Sequence, residues 1–224
     1  MKFAELAWGA FIFKYGYSYL YDYQALASDK DFLERLQRNP AIEDFERLRD
    51  FLVHYGVPWA PKDLAEQHYS VWPRLQQNIA ILSKERLETC DFQRQDIREG
   101  IMNIFDVLLH QVWGGETVVS KVMHFFNVAL FVMVDSFIIG RFGKYGPQGY
   151  IDFLHNMQKE AMELLFDFRQ TGLPGRPEEY LSKALKYTGI RPLTKFIDDY
   201  NWIAISKRWP KKVPDWLLSL FHLD

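Results

Sequence analysis

Runs of apolar residues at helical spacing, each bounded by a capping or helix-breaking residue, follow one another along most of this chain. Between residues 42 and 53 the apolar side chains recur about every 3.6 residues, and Gly56 follows where a left-handed helix end is favoured. Similar segments lie at 29–36, 91–112, 149–170, 177–187 and 192–205. The pattern predicts an all-α fold of eight to ten helices, in one compact unit or in two lobes.

The connections between these segments are short. No long stretch rich in Gly, Ser or Pro divides the chain, so we expect residues 1–224 to form a single helical domain. The Gly-Leu-Pro-Gly turn at residues 172–175 is the best candidate for a hinge between lobes. A chain of 224 residues is long enough to bury a sizeable core.

Composition excludes several classes of protein. The chain is 48% hydrophobic and 25% charged, which is too apolar for a disordered chain. A formal net charge of -2 argues against a generally basic nucleic-acid coat, and a single cysteine, Cys90, excludes an internal disulfide framework. No apolar run reaches the about eighteen residues of a membrane span, and the first residues lack a secretory pattern. We therefore expect no membrane partner and a cytoplasmic location.

One segment departs from the helical pattern. Aromatic residues occupy every odd position from Phe11 to Tyr23. This alternation would place the rings on one face of a strand, which predicts a short aromatic extended segment near the N-terminus. A helix that is aromatic on all sides, or a row of rings that stacks nucleobases, are the alternatives. The face from Tyr15 to Tyr23 would also suit a non-catalytic protein-interaction module.

The segment from Thr117 to Gly140 carries the most informative polar residues. It predicts a short helix bearing Ser120, Lys121 and His124, then a β-branched apolar stretch, then Asp135 at the start of a further helix. A lysine and an aspartate on either side of an apolar turn can converge on one cleft. Burial would lower the pKa of that lysine, and the carboxylate would orient it or accept a proton. Alternatively, both residues are purely structural.

This segment resembles a widespread, poorly characterised helical family with the signature S-K-x-x-H-F followed by F-x-x-x-D-S. The matching residues are Ser120, Lys121, His124, Phe125, Phe131, Asp135 and Ser136. The resemblance covers residues 117–203 and is most specific over its first part. The chain departs from the family at Val128 and Val132, where prolines are common.

More remotely, the order of lysine and aspartate is similar to that of the helix-hairpin-helix DNA glycosylases. In those enzymes a lysine attacks the sugar of a flipped nucleotide, and an aspartate that opens the next helix activates the lysine. The resemblance implies these catalytic roles for Lys121 and Asp135. The chain departs from the family because only Gly114-Gly115 stands near the usual glycine-rich hairpin, and because just 14 residues separate Lys121 from Asp135. A related scaffold that binds nucleic acid without this chemistry is the alternative.

In this hypothesis DNA or RNA is the partner, and Ser120 and His124 shape the cleft. Basic residues of the second half of the chain would then meet phosphate. These residues are Arg141, Lys144, Lys207, Arg208, Lys211 and Lys212. The alternative for the last four is a solvated basic segment without a partner.

A second pattern, R-polar-x-x-x-H from Arg49 to His54, resembles that of helical ribonucleases found in toxin and defence systems. The resemblance implies that Arg49 stabilises the scissile phosphate and that His54 is a general acid or base, at the seam of a homodimer. His54 also has a plain role, because a cation near a helix C-terminus favours the helix dipole.

No pattern indicates a metal or a cofactor. The six histidines are scattered without ligand spacing, so we expect no metal site. Neither a P-loop nor G-x-G-x-x-G occurs, so we expect no nucleotide cofactor. The sequence leaves open whether the protein is an enzyme.

Overall fold

Helices make up the regular structure of the computed structural model, which describes residues 1–17, 20–143, 145–208 and 212–223. The α-helices are α1 (Phe3–Gly16), α2 (Leu20–Ala27), α3 (Lys30–Arg38), α4 (Ile42–His54), α5 (Leu64–Leu82), α6 (Gln95–Gln111), α7 (Glu116–Phe126), α8 (Ser136–Phe142), α9 (Gly146–Gln170), α10 (Pro177–Ala184), α11 (Leu193–Asn201) and α12 (Asp215–Leu220). A π-helical turn, Trp202–Ser206, continues α11. The described residues contain no β-strand, and the predicted all-α class is confirmed.

The prediction of an extended aromatic segment is wrong, because the N-terminal residues are helical. α1 contains Phe11 and Phe13, and the even-numbered Ala10 and Ile12 beside them are buried as well. Apolar side chains therefore surround most of α1, which is the pattern of a helix enclosed by the protein and not of a half-exposed strand. The two N-terminal helices also raise the number of described α-helices to twelve, above the eight to ten predicted.

The predicted aromatic face does not form among the described residues. Tyr15 is 62% exposed, whereas Tyr23 is completely buried, so the two rings occupy opposite environments. Tyr19 and the side chain of Tyr21 lie outside the described part of the chain. An interaction module built on this face therefore loses the structural basis that the alternation gave it.

Local capping explains where several helices begin. The Asp29 carboxylate accepts a hydrogen bond from the Phe32 amide (2.9 Å) at the start of α3, and the Asp135 carboxylate accepts one from the Ile138 amide (2.7 Å) at the start of α8. A carboxylate at this position satisfies an amide that has no partner within the helix. Both caps follow from the sequence pattern.

One hydrophobic cluster runs through the described structure and takes buried side chains from all twelve α-helices. The turn at 172–175 joins α9 to α10, and the hinge proposed there stays a prediction. None of the helices in the described residues has the length and hydrophobicity needed to cross a membrane.

A buried ionic cluster stands at the centre of α11 and the loop before it. The Arg191 guanidinium donates to Asp199 through Nε (3.0 Å) and Nη2 (2.6 Å), and the Lys195 ammonium donates to both Asp198 and Asp199. Arg191, Lys195 and Asp199 have no exposed surface. Because isolated charges are costly in such a place, each member of this cluster depends on the others.

We expect Asp199→Asn to lower the free energy of unfolding by about 3–5 kcal/mol, because it leaves buried cations without their counter-charge. Urea denaturation at pH 7 measures the loss. The control is Glu34→Gln, which removes the exposed pair with Arg38 (side chains 59% and 76% exposed) and should cost less than about 1 kcal/mol. Equal losses in the two variants would contradict a central role for the cluster.

Candidate functional site

A cavity of about 940 Å³ opens between the end of α4, the α6–α7 turn, the start of α8 and the junction of α11 with the π-helical turn. Its charged wall residues include Lys121, Asp135 and Asp198. Its aromatic wall residues are Phe13, Tyr55, Trp59, Trp113, Phe137 and Trp202. Cavities of this size and apolar character, with few polar groups, are typical of small-molecule binding sites.

The turn between α6 and α7 forms one edge of the cavity. Residues 112–115 connect the two helices, and Gly114 has φ +127°, which strains any other residue. A Cβ added at Gly114 would lie 2.7 Å from the Val118 Cβ, so the close packing of the turn on α7 also requires glycine. This turn fixes the first residues of α7 and hence the direction of Lys121.

The Lys121 side chain crosses from α7 to the end of α4. Its ammonium donates to the Tyr55 carbonyl oxygen (2.7 Å), and Gly56, with φ +95°, turns the chain directly afterwards. Lys121 is only 9% exposed. Burial lowers its pKa to about 8, although the negative charges of Asp198 and Asp135 oppose this shift. An ammonium has three donors, so two remain for the cavity after the bond to Tyr55.

Asp135 reaches the same cavity at the start of α8. One carboxylate oxygen caps the helix, and the other accepts a hydrogen bond from the Ser206 hydroxyl (2.6 Å) in the π-helical turn. Lys121 and Asp135 therefore line the same cavity. Asp135 is at once a cap and a cavity residue.

Ser120 fixes the extended segment that leads to Asp135. Its hydroxyl donates to the Thr117 carbonyl (3.0 Å), and the Val134 amide donates back to its oxygen (3.1 Å). Since the segment at 127–135 has no ladder of its own, these bonds satisfy backbone groups that are buried. Ser120 therefore sets the position of Asp135 relative to Lys121.

His124 holds the same segment at Phe131, four residues before Asp135. Its Nδ1 lies 2.6 Å from the Phe131 carbonyl oxygen, and its Nε2 lies 2.8 Å from the Tyr23 hydroxyl. Nδ1 must donate to the carbonyl, so Nε2 accepts from Tyr23 and the ring is neutral. Complete burial lowers the pKa of His124 to about 3, which keeps the ring neutral at physiological pH. Neither Ser120 nor His124 is among the residues that line the cavity, and both instead hold the segment that leads to Asp135.

Asp198 is a cavity residue to which the sequence analysis gave no role in the site. It is 8% exposed, and Lys195 donates to its Oδ2. Burial raises the pKa of Asp198, while the Lys195 charge opposes the change. The only local signal is the spacing of Lys195, Asp198 and Asp199, which puts a cation and two acids on one side of an otherwise apolar helix.

The predicted phosphate-binding residues are only partly described. Arg141, Lys207, Arg208 and Lys212 are exposed, whereas Lys144 and Lys211 lie outside the described residues. The Lys207 ammonium sits 4.6 Å from the ring centre of Trp202, a cavity residue. Of the described basic residues, Lys207 is thus the one that the structure ties to the cavity edge.

Arg49 and His54 occupy different surroundings. The Arg49 side chain donates to the Pro61 carbonyl (3.1 Å) and pairs with Asp50, whereas His54 lines the cavity. The structure does not bring Arg49 onto the cavity wall beside His54. The ribonuclease hypothesis stays a prediction.

Within the described residues, no group of three or more His, Cys, Asp or Glu side chains is placed to hold a metal ion. The reactive groups that the cavity wall itself supplies include the amine of Lys121 and the carboxylates of Asp135 and Asp198.

We expect Gly114→Ala to destabilise the protein by about 1–3 kcal/mol, because a methyl group there meets Val118 in a backbone conformation that alanine disfavours. The matched control is Gly115→Ala in the same turn, where φ is -101° and a Cβ meets nothing within 4 Å. Thermal and urea denaturation compare the two. Equal stability of both variants would show that the turn is not constrained as described.

The lowered pKa of Lys121 predicts a change of stability with pH. Between pH 8 and 10.5 the unfolded chain holds a proton on Lys121 that the folded chain has lost, so stability rises with pH in this window. From pH 7 to pH 10 the wild type should gain about 2 kcal/mol relative to Lys121→Met, in which nothing titrates at this position. Urea titrations of both proteins at the two pH values measure the difference. A constant difference would place the pKa of Lys121 in its ordinary range.

Comparisons with protein-family models, with curated proteins and with solved structures give no match to this chain. The chemistry of the site must therefore be inferred from its own residues. Those residues bring a buried amine, Lys121, and two carboxylates, Asp135 and Asp198, into one cavity with aromatic walls. That cavity is the candidate functional site.

Proposed function

We propose that the protein binds nucleic acid and receives an unstacked nucleoside in the cavity, with Lys121 and Asp135 directed at the sugar. The observation that carries this proposal is the meeting of a buried amine and a helix-capping carboxylate on the wall of one aromatic cavity. Enzymes that act on a base take it out of the helical stack and hold it between aromatic or apolar side chains.

The aromatic residues at the cavity suit a planar ligand. Trp59 is 71% exposed and Phe137 is 63% exposed, although both line the cavity, so their rings stand at its mouth. Trp202 contributes a further ring beside Lys207. Stacking of a base on an aromatic ring is worth about 1–3 kcal/mol. Rings at the mouth and a cation beside them match the two parts of a nucleotide, the base and the phosphate.

The state of the Lys121 amine supports covalent chemistry at the sugar. With a pKa of about 8, about a quarter of the molecules carry a neutral amine at pH 7.5, against roughly one in a thousand for an ordinary lysine. A neutral amine can attack C1′ and form a C–N bond while the glycosidic bond breaks and the base leaves with its electrons. The leaving base takes up the proton that the attacking amine releases. The negative charge of Asp135 then stabilises the positive charge that develops on the sugar.

The affinity for nucleic acid should be modest and sensitive to salt. The whole chain carries a formal charge of -2, so binding depends on a local group of cations. Lys207 beside Trp202 and Arg141 on α8 are the described residues best placed for phosphate, because the π-helical turn packs on α8. Even a few phosphate contacts make the affinity fall as the salt concentration rises.

Borohydride trapping tests the amine directly. The protein is incubated with a labelled oligonucleotide that carries an abasic site, whose C1′ aldehyde forms an imine with a neutral amine, and sodium borohydride fixes the adduct. We expect an adduct with the wild type and at least a tenfold loss in Lys121→Gln, because the reacting nitrogen is removed. Lys84→Gln, at an exposed lysine that does not line the cavity, should react like the wild type.

A binding titration separates the two parts of the proposal. Fluorescence anisotropy with single- and double-stranded DNA and RNA at two salt concentrations should show salt-sensitive binding to at least one of them. Binding without a Lys121-dependent adduct would leave a nucleic-acid-binding protein that has no covalent chemistry. The absence of binding to all four at low salt would overturn the proposed function.

A further inference from the structure

Asp198 is a buried carboxylate that faces the cavity. Its residue is 8% exposed, and it belongs to the cavity wall together with Lys121 and Asp135. Structural carboxylates are seldom buried at the wall of a cavity, because the charge loses its hydration there. A buried ionisable group in such a place is a candidate for ligand recognition.

The hydrogen bonds of the two cavity carboxylates differ. Asp135 uses one oxygen for the Ile138 amide and the other for the Ser206 hydroxyl. Asp198 uses only Oδ2, for Lys195, and its Oδ1 has no hydrogen-bond donor among the described residues. A carboxylate can accept about four hydrogen bonds, so Asp198 has several acceptor positions left. Asp198 is therefore the carboxylate that is available to a ligand.

The cluster behind Asp198 holds it in place. Lys195, which is completely buried, donates to Asp198 on one side and to Asp199 on the other, and Arg191 fixes Asp199. A carboxylate that is anchored in this way loses little conformational entropy when a ligand binds. It also stays an acceptor of fixed direction at the cavity wall.

A carboxylate, which offers only acceptors, selects among planar heterocycles. Guanine carries two adjacent donors, N1–H and the 2-amino group, on its Watson–Crick edge. Adenine and cytosine place a ring-nitrogen acceptor beside their amino group, and thymine and uracil place carbonyl oxygens on both sides of their N–H. In each of those bases a lone pair would face the carboxylate, which is an unfavourable contact.

We propose that Asp198 makes this cavity selective for guanine, by accepting hydrogen bonds from N1–H and the 2-amino group of a base held between the aromatic walls. This inference rests on the proposed binding of a nucleoside. With the base at Asp198, the sugar is left to Lys121 and Asp135. A good bidentate contact to a base is worth about 1–3 kcal/mol of discrimination, which corresponds to about a 5- to 150-fold difference in affinity.

The first experiment uses the unmodified chain and free nucleosides. Quenching of tryptophan fluorescence reports occupancy, because Trp59, Trp113 and Trp202 line the cavity. Guanosine should bind at least tenfold more tightly than inosine, which differs from it only in lacking the 2-amino group, and than adenosine. Equal affinities for guanosine and inosine would overturn the assignment of Asp198. No quenching by any nucleoside would overturn it as well.

Two variants then test whether Asp198 causes the preference for guanosine over inosine. In Asp198→Asn the amide replaces one acceptor by a donor, so the ratio of guanosine to inosine affinity should fall to within about threefold. The control is Asp106→Asn, at an exposed carboxylate that does not line the cavity, which should keep the wild-type ratio. A preserved ratio in Asp198→Asn, or an equal fall in the control, would contradict the proposal. If Asp198→Asn does not fold, the nucleoside series on the wild type decides.

Oligonucleotides distinguish a base within a strand from a free nucleoside. Thymidine oligonucleotides with one central guanine, or with one central inosine, are compared by anisotropy. Tighter binding of the guanine strand supports both proposals. Equal binding of the two strands overturns the guanine preference but leaves the nucleic-acid function intact. A guanosine preference without any binding of strands overturns the nucleic-acid function and keeps Asp198 as a recognition group for a free nucleoside.

Discussion

The ion pairs among Arg191, Lys195, Asp198 and Asp199 connect the second half of the chain to the first. The Arg191 guanidinium lies 4.7 Å from the ring centre of Tyr23 in α2, while the Lys195 ammonium lies 4.8 Å from that of Phe13 in α1 and 5.1 Å from that of Tyr55 after α4. Cations placed near ring faces gain electrostatic stabilisation in an environment without water. Two aromatic residues of the N-terminal helices, Phe13 and Tyr23, therefore lie against the buried charges. Each charge is fixed by the cluster as a whole.

Such a cluster is a costly way to fill a core. Replacing buried ion pairs by well-packed apolar residues is often neutral or stabilising, so stability alone gives no reason to bury four charges. The position of the cluster gives a reason to bury these charges. Of the four residues only Asp198 lines the cavity, and the other three lie behind it. The network sets the direction of one carboxylate, because the hydrogen bonds of buried neighbours hold it in place, as they do for the residues of a preorganised binding site. The same ion pairs thus connect the helices of the fold and orient a carboxylate of the candidate site.

The helical fold and several helix caps could be predicted from local sequence. The features of the candidate site that could not be predicted are those that depend on tertiary contacts. The caps at Asp29 and Asp135 need only one carboxylate and the following backbone, and both were predictable. The aromatic alternation in α1 was misleading, because a helix with apolar residues around most of its surface can carry aromatic residues at alternate positions by chance. The proposed role of Asp198 in ligand recognition depends on Lys195, on the Phe13 ring of α1 and on a cavity formed by four segments that are distant in sequence. No pattern within α11 carries that information.

The same dependence on context explains why the pKa of Lys121 is lowered in a cavity that two carboxylates also line. Negative charges at Asp135 and Asp198 raise the pKa of Lys121, whereas burial and the positive charge of Lys195 lower it, and the lowering effects prevail. Lys195 thereby acts twice, since it neutralises much of the charge of Asp198 and repels a proton from Lys121. Burial is the largest of these effects, and the positive charge of Lys195 adds to it. The buried cluster therefore acts together with burial to lower the pKa of Lys121.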